Sequence, residues 1–220
     1  MSEQRVGQMR VGYTNPPMSS ADMAATPLEQ FQAWFDAAVA SGITEPNAMV
    51  LSTADSSGRV SSRTVLLKGF DSRGLSFFTN LHSAKARAIA DNPKVSVVFP
   101  WYPLQRQVCI SGTARELPRD EVDEYFASRP RESQLGAWAS EQSSVIESSQ
   151  VLHDAHAEAT QRFGDAVPTP PHWGGLLITV DALEFWSGQP SRLHDRLRYR
   201  RIAAGGLDDA EAWTLERLAP

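Results

Sequence analysis

The chain has 220 residues, 41% of them hydrophobic and 21% charged, with a net charge of −5. That length buries a full core without disulfides or metal, and the acidic balance argues against nucleic-acid binding driven by bulk electrostatics. The single cysteine, Cys109, excludes an intrachain disulfide and a cysteine-cluster metal site.

The opening Met1-Ser2-Glu3-Gln4-Arg5 lacks the apolar centre of a signal peptide, and no apolar run is long enough to span a bilayer. The chain therefore reads as cytoplasmic, with neither membrane nor nucleic acid as partner. Residues 1–25 are polar or small and include Pro16-Pro17, which reads as a mobile N-terminal arm. Residues 26–220 then form a single domain. Its first helix has Thr26 as cap, Pro27 at the first helical position and Gly42 at the far end. Leu28, Phe31, Trp34, Phe35 and Val39 fall at helical spacing and predict one buried stripe.

From Asn47 to Ala114 the pattern changes to short β-type runs: 49–51, 63–67, 75–79, 95–99 and 108–110. Residues 54–58 and 71–74 carry hairpin-turn chemistry. One helix interrupts at about Ser83–Ala90 and stops at Asp91-Asn92-Pro93. Residues 118–163 read as helical with a break at Pro130; strands return at 176–180, 183–186, 196–201 and about 213–218. Many short strands with little βαβ alternation predict a mainly β fold with peripheral helices, an antiparallel barrel.

Three clusters carry possible chemistry. Arg63, Lys68, Ser83 and Lys85 are basic or hydroxyl groups, the last two at a helix start where free N–H groups and the helix dipole suit a phosphate. On a regular strand Arg63 and Lys68 have opposite parity and serve different parts of a ligand unless a bulge intervenes; the alternative is solvated charge on strand ends. Tyr125 and Arg129 share a helix face, and Pro130 begins a new helix with Ser133 in its first turn, where amides are free. Phenol, guanidinium, hydroxyl and amides together suit a second phosphate; otherwise Tyr125 packs and Arg129 pairs with Asp120, Glu121 or another carboxylate. Arg192, His194 and Arg196, near Trp186, alternate along an extended segment and share one side. Two guanidiniums flanking an imidazole favour an anionic or electron-rich ligand, the bland alternative being a solvated edge strand.

The runs Arg63–Lys68, Phe78-Thr79-Asn80, Phe99-Pro100-Trp101, Arg106-Gln107-Val108, Tyr125–Trp138, Gln142-Ser143-Ser144, Trp173-Gly174-Gly175, Glu184-Phe185-Trp186, Arg192–Arg196 and Glu216–Pro220 resemble the pyridoxine/pyridoxamine 5′-phosphate oxidase family. The likeness runs from about residue 26 to the C-terminus, with a fainter match at Arg10 to Tyr13. It implies a split β-barrel homodimer with FMN at the subunit interface. Such an enzyme oxidises pyridoxine 5′-phosphate and pyridoxamine 5′-phosphate to pyridoxal 5′-phosphate, with oxygen as acceptor and hydrogen peroxide as product.

By position, the resemblance gives Arg63, Lys85 and Ser83 the FMN phosphate. Thr64, Val65, Leu66 and Lys68 would line the flavin ring, and Phe78 and Thr79 would border it. Gln107, Gln142, Ser143, Trp186 and Arg196 complete that site. Lys68, Tyr125, Arg129 and Ser133 would grip the substrate phosphate, while Arg192 and His194 lie over the pyridine ring as the catalytic pair. Arg10 and Tyr13 close as a lid. No metal is implied. Two departures stand out: Ala84 where many members have arginine, and Phe78 where several have tyrosine. The rival readings are a flavin oxidase of phenazine type and a non-enzymatic carrier of flavin or pyridoxal phosphate.

Overall fold

The structure, a computed structural model, describes residue 9 and residues 11–220. Arg10, read as part of a lid, lies outside the described residues. Contacts divide the chain into two compact units. One comprises residues up to Pro46 with Val98–Ile110 and Ala182–Pro220; the other comprises Asn47–Val97 and Ser111–Asp181. Hydrogen bonding orders the strands β2-β1-β5-β6-β7-β4-β3, with β8 on β7 and β9 on β8.

In the Asn47–Val97/Ser111–Asp181 unit, β1 (Ala48–Ala54) and β2 (Val60–Leu66) form an antiparallel hairpin in register Ala48↔Leu66. Its turn is built by Asp55, whose Oδ1 accepts from the amides of Ser57 at 2.9 Å and Arg59 at 3.0 Å. A second hairpin, β3 (Gly69–Asp71) and β4 (Gly74–Asn80), turns where the sequence pattern expects it, although that pattern does not predict the three-residue β3. Gly74 has φ 143°, and a Cβ there would stand 2.0 Å from the Ile178 carbonyl oxygen, so only glycine fits. Helix α2 (Ala84–Asp91) is capped by Ser83, whose hydroxyl accepts from the Ala86 amide.

The expected helical stretch is three helices: α3 (Arg119–Ala127), α4 (Arg131–Ala139) and α5 (Ser149–Arg162). Pro130 makes the first break as expected. A second, at residues 140–148, has no such signal in the sequence; it carries Gln142 and Ser143, the latter at φ 76°. These helices close on Phe126, Leu135, Ala137, Ala159 and Val167. Phe126 is 1% exposed, and truncating such a ring to alanine costs about 3–5 kcal/mol.

The strands read as 176–180 and 183–186 are one fifteen-residue strand, β7 (Trp173–Ser187). Asp181, which lies between the two runs, sits exposed on the strand and pairs with Lys94 at 3.2 Å.

In the other unit, α1 (Pro27–Ala40) starts with Thr26 Oγ1 accepting from the Glu29 amide, and Gly42 follows its end at φ 75°. The buried face is Phe31, Trp34 and Ala38. Val39, one step round the helix, is 52% exposed, so it does not belong to the predicted stripe. Phe31 packs edge-on to Phe99 at 5.3 Å and Trp34 to Phe185 at 5.1 Å. Antiparallel β8 (Asp195–Arg201) and β9 (Trp213–Leu218) extend the edge of β7. The stretch read as an arm is hydrogen-bonded within this unit. Asn15 Nδ2 donates to the Leu104 carbonyl at 3.0 Å, the Met18 amide to Asp195 Oδ2 at 2.8 Å, and the Tyr199 hydroxyl to the Ala24 carbonyl at 2.6 Å.

Candidate active site

A cavity of about 500 Å³ opens in the Asn47–Val97/Ser111–Asp181 unit. One wall is formed by Thr64, Val65 and Leu66 at the end of β2, together with Lys68. Lys68 lies beyond β2, so the strand-parity expectation against Arg63 does not apply to it. β4 contributes Phe78 and Thr79, α2 contributes Lys85, and the 140–148 segment contributes Gln142. The α3–α4 corner supplies Tyr125, Ser128, Arg129, Pro130 and Ser133, and Trp173 at the start of β7 completes the lining.

Lys85 marks one corner. Its Nζ donates to Gln142 Oε1 at 2.7 Å and to Thr79 Oγ1 at 3.1 Å. Burial, and then the neighbouring Arg63 guanidinium, push its pKa down to about 8. Arg63 turns its guanidinium to Thr53 Oγ1 at 2.9 Å, the Leu51 carbonyl at 3.2 Å and the Ser61 hydroxyl, all neutral acceptors. Two cations thus stand together with no carboxylate paired to either among the described residues, which is the electrostatic signature of an anion site. Ser143 belongs to this corner through its hydroxyl, which accepts from the Ala84 amide at 3.1 Å. Ser83 does not line the cavity: it is fully buried, and its hydroxyl is engaged as the cap of α2.

Arg129 marks the other corner. α3 ends at Ala127 with Ser128 as its C-cap, so Arg129 stands beyond the helix and the shared helix face expected with Tyr125 is not formed; both side chains nevertheless line the cavity. Of the acids that could have claimed Arg129, Glu121 pairs with Arg73 at 2.9 Å and the nearby Asp123 with Arg119 at 3.0 Å, and no ion pair joins Arg129 to Asp120 among the described residues. Its guanidinium lies over the Trp173 ring at 4.2 Å, and its Nη1 is buried without a hydrogen-bond partner. Ser133 is less generous than expected, because its amide already donates to the Pro130 carbonyl at 2.8 Å and only its side chain remains for a ligand. In the sequence Trp173 stands only within a block that resembles the family, and no spacing rule gives it a role.

The remaining predicted residues fall in the other unit and are described by themselves. Trp186 and His194 are ring neighbours at 4.6 Å, and Tyr13 meets both edge-on at 5.6 and 5.3 Å. The Gln189 amide donates to His194 Nδ1 at 3.1 Å, which places the neutral ring's proton on Nε2. Burial, and then Arg192, hold the imidazole below its usual pKa. Arg192, His194 and Arg196 do not alternate along one strand. Ser191 and Arg192 both have left-handed backbone, φ 57° and 64°, and β8 begins only at Asp195. Consecutive non-glycine residues in that region store strain of the kind found at functional sites. Arg196 is held bidentately by Glu184, at 2.7 and 2.9 Å, and by the Ala219 carbonyl at 2.8 Å. The inferred clash of two guanidiniums about an imidazole is therefore relieved by Glu184, to which sequence reasoning gives no role. Gln107 lies half-buried on β6 (Arg106–Glu116).

Comparison with known proteins agrees with this geometry. Residues 35–163 match the family model described as pyridoxamine 5′-phosphate oxidase, and residues 173–220 match the pyridoxine 5′-phosphate oxidase C-terminal dimerisation region. A pyridoxine/pyridoxamine 5′-phosphate oxidase of Burkholderia thailandensis is 47% identical over 215 residues, covering 98% of this chain and 99% of that protein. One from Salinispora arenicola is 51% identical over 205 residues, covering 92% and 90%. Among solved structures, PhzG from Burkholderia lata, in complex with tetrahydrophenazine-1-carboxylic acid, superposes with a TM-score of 0.85 at 30% identity, covering 95% of this chain and all of that one. The fold is the split β-barrel, mainly β with peripheral helices. The chain belongs to the pyridoxine/pyridoxamine 5′-phosphate oxidase family.

Proposed function

We propose that this protein oxidises pyridoxine 5′-phosphate and pyridoxamine 5′-phosphate to pyridoxal 5′-phosphate, passing the electrons to oxygen and releasing hydrogen peroxide. The cofactor is FMN, which when bound supplies the two-electron acceptor. The observation that carries the reading is a cavity lined by Lys68, Lys85 and Arg129, with Arg63 beside Lys85, and no carboxylate paired to any of the four among the described residues. An FMN phosphate and a substrate phosphate together require such unneutralised positive charge.

Lys85 and Arg63 hold the FMN phosphate, with Ser143 and Gln142 beside them. Residues 64–66, Phe78 and Thr79 shape the surface for the flavin ring. Lys68, Tyr125, Arg129 and Ser133 grip the substrate phosphate, fixing the position of the carbon to be oxidised; such positioning lowers a barrier by removing rotational and translational freedom in advance. Arg192 and His194 orient the pyridine ring, and the neutral imidazole offers Nε2–H as a donor. The match of residues 173–220 to a dimerisation region supports a homodimer, in which Gln107, Trp186 and Arg196 complete the flavin site.

The likeness to PhzG supports a second reading, oxidation of a phenazine carboxylate. A carboxylate substrate has no use for a phosphate grip of arginine, lysine, tyrosine and serine, so the first reading is preferred. The test is turnover: protein with FMN and pyridoxine 5′-phosphate, followed by peroxide and aldehyde formation, with unphosphorylated pyridoxine in parallel. Aldehyde and peroxide in equal amounts from the phosphorylated alcohol alone is the expected result. Failure to oxidise either phosphorylated substrate would overturn the proposal.

A further inference from the structure

Arg129 is held by aromatic rings and not by a carboxylate. Arg73, Arg119, Arg196, Arg198 and Arg217 each face a carboxylate within 3.0 Å. Arg129 has no such partner among the described residues. Its guanidinium instead lies over the face of Trp173 at 4.2 Å, with the Phe126 ring at 5.4 Å. Its Nη1 is buried and has no oxygen acceptor. An aromatic face attracts a guanidinium and receives an N–H without cancelling the positive charge. A carboxylate in the same place would hold the side chain equally well but neutralise the charge that a phosphate must meet.

Trp173 is itself fixed from behind. Arg119 Nη1 donates to the Trp173 carbonyl at 3.0 Å, and its Nη2 to the Thr169 carbonyl at 3.1 Å, while its Nε pairs with Asp123 at 3.0 Å. The indole packs edge-on to Phe126 at 5.8 Å. The ring face under Arg129 is thus set by α3 and by the turn that enters β7, at the point where that strand borders the cavity.

We infer that Trp173 is the positioning residue of the substrate-phosphate site: its indole face holds the Arg129 guanidinium aimed at the cavity and leaves its charge unspent. The inference rests on the proposed reading of the cavity, and the test separates the two. With FMN-loaded protein and pyridoxine 5′-phosphate, Trp173→Leu should raise KM roughly five- to tenfold, the range of a partly buried cation–π contact, with a much smaller change in kcat. Trp173→Phe, which keeps an aromatic face, should recover most of that loss. In Arg129→Ala protein the Trp173→Leu change should add almost nothing, because the two act through one contact. Should Trp173→Leu not fold, site-specific fluorination of the indole at position 173 keeps the shape and drains the ring's negative face; KM should then climb with each added fluorine. An Arg129→Ala effect on KM with no effect of Trp173→Leu or of fluorination overturns the inference and leaves the function standing. An Arg129→Ala protein with unchanged KM overturns the phosphate reading beneath it.

Discussion

Phe78 lies flat against Tyr125, ring centroids 3.8 Å apart and planes 14° from parallel. One ring comes from β4 and the other from α3, so the stack fastens the helix that carries the phosphate grip to the strand expected to border the flavin. Such a pair contributes about 0.5–1.5 kcal/mol beyond the area it buries. Tyr125→Phe keeps the stack and removes only the hydroxyl, so the melting temperature should hold while KM for the phosphorylated substrate rises about three- to tenfold. Tyr125→Leu should lower both affinity and melting temperature. Thermal melts beside steady-state kinetics check this; equal melting losses in the two variants would show that the stack contributes nothing.

Lys85, lowered to about 8 by burial and by Arg63, predicts a pH dependence of cofactor binding. In the ligand-free protein the folded state has released a proton that the unfolded chain still holds between pH 8 and the ordinary lysine value near 10.5. Stability therefore rises across that window, and below it the buried charge destabilises the empty protein. A bound phosphate dianion favours the charged form. FMN affinity should accordingly be greatest below pH 8 and fall as pH rises through it, while Lys85→Met binds weakly with a flatter profile. Flavin fluorescence titrations from pH 7 to 10 measure both; an equal slope in Lys85→Met would assign the titration to another group.

His194 titrates in the opposite part of the range. Its imidazole is held below 6.5 by burial and then by Arg192, so on acidification the unfolded chain takes up this proton first. The stability linked to His194 is complete above pH 6.5 and is lost as pH falls towards the folded value. The ring resonances should show a midpoint below 6.5 by NMR. His194→Ala should slow flavin reduction by substrate in anaerobic single turnovers and leave reoxidation by oxygen nearly untouched; the reverse pattern would remove His194 from the substrate half-reaction.

Ala84 faces a second hollow, shared with Asp55, Arg59, Ser61 and Arg87, rather than the main cavity. An arginine there has open space, and a guanidinium near the Lys85 corner could add a charge-assisted bond to the FMN phosphate. Ala84→Arg should tighten FMN about fivefold at low salt, close to 1 kcal/mol, and the gain should shrink as salt rises. Unchanged affinity at low salt would mean that the corner is already served, with Arg87, on the same hollow, the first residue to test.

Much of this is legible in the chain. Thr26, Ser83, Pro130 and the Asp55 turn act locally, and local chemistry places them without help from the rest of the fold. Tyr125 and Arg129 are singled out by a helical spacing that the structure does not keep, since α3 stops at Ala127, yet both line the cavity. What escapes depends on partners distant in sequence. The unbroken course of β7 through Asp181 is one such case, because Lys94, its counter-ion, lies 87 residues away. Arg192, His194 and Arg196 look like one face of a strand because nothing in Ser191-Arg192 announces a left-handed backbone, a conformation that glycine or asparagine would have signalled. Glu184 and Trp173 gain their roles only when the fold brings arginines to them.

The cations that wait without acids in the cavity also bear on how much of this protein a cell keeps. Lys85, Arg63 and Arg129 lose solvation on folding; neutral hydrogen bonds and the Trp173 ring offset part of that loss, and a bound anion offsets more. Filled protein is then more stable than empty protein by mass action, and differences of that order change steady-state abundance through chaperones and proteases. The amount of this protein should therefore track the supply of flavin during growth, without any change in the transcription of its gene.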